Sequence, residues 1–325
     1  MSVSRSSVKS HSAIGYLIGN GQSVLLGLLV LLCVGFSIGS EQFYSFENII
    51  AILRQCSLVL IVASGMTLLL IAAEVDLSVG AALAFVGCVA MDATNQTGSV
   101  AIGAVAGILF GGAIGLVNGL VVTRLRVNSL IATIAMLMIL QGGVFLYTRE
   151  AVQNRHQLPS FTHISTGYVG FIPVPVILAV AVFLTAFAFL RFTLFGRSIY
   201  AVGANATAAR LSGMRPERIK LILFVITGLL TGLAGLILAS LMNTGQPTAG
   251  RGFELTVVAA VILGGTSLLG GRGTLMGTLL GVLVLKVIDN GIIILQLDQN
   301  FQMIVPGVVI ILATWLDLVR SRSNA

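Results

Sequence analysis

The chain has 325 residues, of which 57% are hydrophobic and 9% charged, whereas a soluble domain typically carries about 25% charged residues. That balance excludes a water-soluble enzyme or binding module and makes a bilayer the main solvent. The formal net charge of +7 would suit nucleic acid or an anionic ligand, so the placement of the charges has to decide, and it follows membrane sidedness instead.

A hydrocarbon core of about 30 Å needs roughly 20 apolar residues to cross as a helix. Charge-free runs of that kind predict helices near 13–40, 49–72, 77–92, 99–122, 128–148, 169–190, 219–242, 254–270, 274–295 and 302–319. The third and eighth are short, which suits broken or re-entrant segments. The expected fold is therefore an all-α integral membrane protein of about ten transmembrane helices. Residues 1–12 and 320–325 form tails around one transmembrane domain at 13–319. The first run is too long for a cleaved signal peptide and is not closed by a small-residue cleavage site.

With ten crossings both termini share a side. Arg5, Lys9, Arg124, Arg126, Arg191, Arg197, Arg210, Arg215, Arg218, Lys220, Arg272, Arg320 and Arg322 fall on that side. Only Arg54, Arg149, Arg155 and Arg251 fall near the other, with Lys286 inside a helix. The positive-inside rule then makes both termini cytoplasmic.

Thirty-eight glycines against six prolines fit closely packed membrane helices. Gly103, Gly107, Gly111, Gly115 and Gly119 recur every fourth residue and predict one smooth helical stripe on which another helix packs. Gly228 with Gly232, and Gly273, Gly277 and Gly281, repeat the device. Cys33, Cys56 and Cys88 sit in apolar runs without metal-ligand spacing and read as small hydrophobes. The histidines His11, His156 and His163 lie outside the spans, and no nucleophile-base pair or metal ligand cluster appears.

The longest cytoplasmic loop, 191–220, reads as a structured element. Asn205 is a good N-cap, Ala206 to Leu211 are mostly helix formers, and Gly213 suits a left-handed C-cap. Pro216 and Glu217 then open the next helix. A short capped helix among arginines suits either docking of a cytoplasmic partner or contact with acidic lipid headgroups.

The run FGRSIYAVGANATAARLSG, from Phe195 to Gly213, resembles the coupling-loop signature of bacterial ABC sugar permeases of the ribose, xylose and galactose type. Further matching stretches occur at 48–71, 75–80 (VDLSVG), 252–283 and 289–295 (DNGIIIL). The resemblance implies the permease subunit of an ATP-driven importer in a bacterial inner membrane, carrying a monosaccharide or polyol. It also implies a second permease copy, a cytoplasmic ATPase that uses ATP and Mg, and a periplasmic sugar-binding protein. The coupling residues it implies here are Gly203, Asn205, Ala208, Ala209, Arg210 and Gly213. Nucleoside and signal-molecule carriers are similar too, so the cargo stays open within small polyhydroxylated solutes. An importer of this kind is no enzyme, and no cofactor is expected on this chain.

The residues support that division of labour, because no GxxxxGK[ST] phosphate loop is present. Gly270-Gly271-Arg272-Gly273-Thr274 lacks the lysine and reads as a tight turn. A self-sufficient transporter driven by an ion gradient would need a carboxylate site near the midplane, and no clear carboxylate pair lies in the apolar centres.

A polyol crossing apolar protein needs polar partners. Asp76, Ser78, Asn128, Thr133, Gln141, Asn243 and Gln246 are the candidates for that path. Asp76 and Ser78 have the alternative of capping the third helix. Glu74 stands where the family usually has glycine, with an effect on cargo or turn left open. Lys286 and Asp289, three apart on one helix, are expected to satisfy each other. Arg149, Arg155 and Arg251 on the outer side are candidate contacts for the delivering protein.

Overall fold

In the computed structural model residues 21–323 are described, and thirteen α-helices account for most of them. They are α1 (Gly21–Gly39), α2 (Phe46–Ile71), α3 (Val79–Thr97), α4 (Val100–Thr123), α5 (Ser129–Tyr147), α6 (Pro159–Thr166) and α7 (Val174–Phe192). There follow α8 (Leu194–Ala204), α9 (Ala206–Leu211), α10 (Pro216–Met242), α11 (Phe253–Leu263), α12 (Leu275–Ile294) and α13 (Phe301–Ser323). Seven of them, α1, α2, α4, α5, α7, α10 and α12, are long and apolar enough to cross a bilayer. Two small antiparallel ribbons complete the fold, one pairing Val152–Gln153 with Thr244–Gly245 and one pairing Tyr168–Val169 with Ile172–Pro173.

Each expected span has a helical counterpart, with corrections at the ends. The third helix runs to Thr97 rather than 92, because Gly98 supplies a left-handed stop at φ 66°. The eighth ends at Leu263, not 270, where Gly265, Gly270 and Gly271 take positive φ and turn the chain. The last runs to Ser323 rather than 319, so residues 320–323 are helical. The loop expected to hold one short helix holds two, α8 and α9, separated only by Asn205. Helical structure proposed for 13–20, the N-terminal tail with Arg5, Lys9 and His11, and the side chains of Arg320 and Arg322 lie outside the described residues.

Serine, threonine and asparagine start most of these helices. Ser45 Oγ accepts from Asn48 N, Ser99 Oγ from Ile102 N, Thr274 Oγ1 from Gly277 N and Asn205 Oδ1 from Ala208 N, each satisfying one of the donors a helix start leaves open.

The core forms around α2, in which every residue from Val59 to Ile71 is buried. A helix apolar on all faces belongs inside a bundle, and α7, α10, α11 and α12 pack around it. The glycine stripe of α4 meets that of α10. A Cβ on Gly111 would stand 2.5 Å from Gly228 O, and one on Gly115 would stand 2.2 Å from Phe224 O. The two backbones touch, so van der Waals contact along the seam replaces the hydrophobic drive that lipid removes. Gly277 and Gly281 do the same for α12 against Gly264 and Ala260 at the end of α11. Lys286 Nζ donates to Asp289 Oδ2 at 2.7 Å, so that pair is internally satisfied.

Candidate functional site

Three groups of residues stand out. The first is the α8–α9 knob. Asn205 caps α9 through a 2.9 Å bond from Ala208 N, and Gly213 closes it at φ +84°. Asn205, Ala208, Arg210 and Gly213 are exposed, while Ala209 is buried against the core. Arg210 pairs with Glu217 at the start of α10.

Gly203 lies beneath the knob. A Cβ there would fall 1.7 Å from Ile71 O and 2.7 Å from Gly271 N. Those two atoms hydrogen-bond each other at 2.8 Å. The end of α8, the end of α2 and the glycine turn before α12 thus meet at one backbone contact. Tyr200 OH donates to Gly273 O at 2.8 Å and ties α8 to the same turn. Burial pushes the Tyr200 phenol up, while nearby Arg191 pulls it down.

The second group is the turn between α2 and α3. Asp76 Oδ1 accepts from Ser78 N at 2.9 Å and Ser78 Oγ at 2.6 Å. Asn118 Nδ2, from α4, donates to Ser78 Oγ at 2.8 Å and reaches both Asp76 oxygens at 3.2–3.3 Å. All three residues are buried. From α5, Thr133 Oγ1 accepts from Leu77 N and Ser129 Oγ from Val75 N. Ser78 occupies the N-cap position of α3 but makes no side-chain capping bond, while Asp76 Oδ1 takes a backbone N–H at the entry to that helix. Asp76 is an acceptor that ties the start of α3 to α4, while backbone N–H groups of the same turn hold it to α5; Asn118, a single amide in an apolar helix, was the partner that sequence reasoning missed.

Glu74 does not face this network. Lys220 Nζ, in the first turns of α10, donates to its Oε1 at 2.5 Å.

The third group lines a cavity of about 320 Å³ between the start of α3, the second half of α5 and residues 247–254. Gln141 and Arg251 both face it. The seven path candidates are therefore not gathered in one place. Asp76, Ser78 and Thr133 form one buried cluster and Gln141 lines the cavity. Asn128 is exposed and caps α5 by accepting from Leu130 N. Asn243 closes α10 at φ 52° and accepts from Asn154 Nδ2 at 2.9 Å. Gln246 Nε2 donates to Thr248 Oγ1. Arg149 and Arg155 are exposed, Arg155 on a loop held by its backbone N–H to Asn95 Oδ1. Among the described residues no group of three metal-ligating side chains occurs.

A bundle of long apolar helices with glycine-packed seams and a structured knob between two of them defines a multi-pass membrane protein. Residues 48–314 match the family described as "Branched-chain amino acid transport system / permease component", and the chain belongs to it. It is 40% identical over 299 residues to the ribose import permease protein RbsC of Escherichia coli K12, covering 91% of this chain and 93% of the relative. RbsC of Bacillus subtilis 168 is 37% identical over 297 residues, with 91% and 92% covered. The L-arabinose permease AraH of Azospirillum brasilense is 37% identical over 302 residues, with 93% and 88% covered. No solved structure matches the chain significantly.

Proposed function

We propose that this chain is the membrane-spanning permease of an ATP-driven importer for a monosaccharide or related polyol in a bacterial inner membrane. The observation that carries this is the similarity to ribose and arabinose permeases over nine-tenths of the chain. The family description names amino acids, but the sugar permeases match across the whole bundle. On this reading residues 13–319 are one permease domain of about ten membrane segments, with α3, α13 and the short α11, which crosses only part of the bilayer, joining the seven long helices. The arginine-rich end faces the cytoplasm with both termini.

The division of work follows. A periplasmic binding protein delivers the sugar, touching Arg149, Arg155 and Arg251. A cytoplasmic ATPase, which holds ATP and Mg, docks on Asn205, Ala208, Arg210 and Gly213. Its closure moves α8 and α9, and the Gly203–Ile71–Gly271 contact passes that motion to α2 and to the turn holding Asp76. Two permease copies rock around the path, and no bond in the sugar is broken. Asp76, Ser78 and Thr133 set the inner end of that path, while Gln141 and Gln246 lie toward its outer end and Asn128 and Asn243 fix the helix ends that frame it.

The test is reconstitution in proteoliposomes with the ATPase and binding protein, following labelled D-ribose and L-arabinose. ATP-dependent uptake that needs all components is expected. Uptake by the chain alone under an ion gradient would sink the proposal.

A further inference from the structure

The cavity holds two groups, Glu254 and Phe145, that the assignments above leave unused. Glu254, in the first turn of α11, lines it beside Gln141, Phe145 and Arg251. We infer that this cavity is a monosaccharide waypoint, in which Glu254 and Gln141 bind sugar hydroxyls and the Phe145 ring covers an apolar face of the sugar. The inference rests on the importer reading.

Four observations carry it. The volume, about 320 Å³, is at the small end of ligand sites, which run from about 300 to 1,000 Å³. The chemistry is mixed in the way a sugar needs: a carboxylate accepts two or more hydroxyls, an amide accepts and donates, and an aromatic face packs on C–H groups. One cation and one anion face the space, so it carries no net charge to suit an ion. Finally, the three ion pairs among the described residues do not include Glu254. Backbone groups of Gly252 and of Glu254 itself lie against its carboxylate.

The fold keeps that carboxylate in place at a specific position. A Cβ on Gly80 would stand 2.0 Å from Glu254 Oε2 and 2.6 Å from Gly250 O. The glycine that ends the VDLSVG motif is thus the floor on which Glu254 rests. α11 has 11 residues, about 16 Å at 1.5 Å per residue, or roughly half a hydrocarbon core. Its N-terminus therefore opens inside the bundle, the arrangement by which broken helices build midplane solute sites. The competing role for Glu254 is to offset the helix dipole at that terminus.

The experiment uses the complete transporter with ATPase and binding protein in proteoliposomes, with Cys33 replaced by Ala. Ala249→Cys places a thiol on the cavity wall, and Glu150→Cys places one on an exposed loop. Labelling by a membrane-impermeant maleimide is followed with binding protein saturating throughout. D-ribose is expected to slow labelling at 249 by about fivefold or more, since a bound ligand loses most of its surface to the site, and to leave 150 unchanged. Glu254→Gln in the Ala249→Cys background is expected to raise the sugar concentration for half-protection by about tenfold, one hydrogen bond to a charged group. If the complex transports ribose but ribose does not protect position 249, or if L-leucine protects in its place, the waypoint is refuted. Protection unchanged by Glu254→Gln would assign Glu254 to the helix dipole alone and remove it from the site. A complex that transports no sugar would instead overturn the importer reading beneath it.

Discussion

Lys220 Nζ lies 2.5 Å from Glu74 Oε1, joining the first turns of α10 to the turn that enters α3 across 146 residues of sequence. Glu74 is buried and Lys220 half-buried, and the Glu74 carboxylate is engaged by this pair rather than by the Asp76 network. Glu74 serves the turn, with its charge balanced by a lysine that sequence alone assigned only to membrane sidedness.

Removing one partner of that pair strands the other charge in a poorly solvated place. Glu74→Ala and Lys220→Ala should each lower stability by about 1–3 kcal/mol, and the double variant should lose less than the sum. Thermal unfolding of the purified permease in detergent reads the coupling. Additive losses would show that the pair contributes nothing.

Asn118→Ala leaves Asp76 and Ser78 with an unmet donor-acceptor set in a buried site, at a cost of about 1–3 kcal/mol. Asp76→Asn keeps the acceptor for Ser78 N but sets its new amide against that of Asn118. Both variants should unfold at lower temperature than wild type, and Asp76→Asn should still transport when it is stably folded. A stable Asp76→Asn protein without transport would place the carboxylate in direct contact with the solute.

At the knob, two glycines make a paired test. Gly203→Ala drives a methyl into the Ile71 carbonyl, which backbone bonding holds, and overpacking of this kind costs about 1–3 kcal/mol or more. Gly213→Ala has open space and only the strain of φ +84°, about 1–2 kcal/mol. Membrane yield and ATPase binding should fall further for Gly203→Ala than for Gly213→Ala.

Arg210 pairs with Glu217 in an exposed position, where an ion pair contributes at most about 1 kcal/mol. Arg210→Glu should therefore leave membrane insertion intact while separating ATP hydrolysis from sugar uptake. The exchange Arg210→Glu with Glu217→Arg restores the local pair but not the charge offered to a partner. Coupling should stay low in the exchange variant. Recovery there would make Arg210 a purely local brace.

Much of the fold is legible in the chain because membrane helices are written in long local runs. The apolar stretches placed α2, α4, α5, α7, α10 and α12 within a few residues, and the four-residue glycine period of α4 announced a close neighbour. Asn205 and Gly213 marked α9 because caps act over three or four residues. The ends of α3, α11 and α13 were misplaced, since a glycine or an unpunctuated polar tail decides them rather than apolarity.

What sequence determined by itself was the solvent, the rough position of the long helices and the presence of a structured knob, because each depends on neighbours in the chain. Tertiary structure alone decided which polar groups work together. Asn118 meets Asp76, Gly203 meets Ile71, Glu74 meets Lys220 and Gly80 meets Glu254 across tens to hundreds of residues. Inside a bundle without water, a polar group must find a partner wherever packing brings one, and no local pattern records which partner that is.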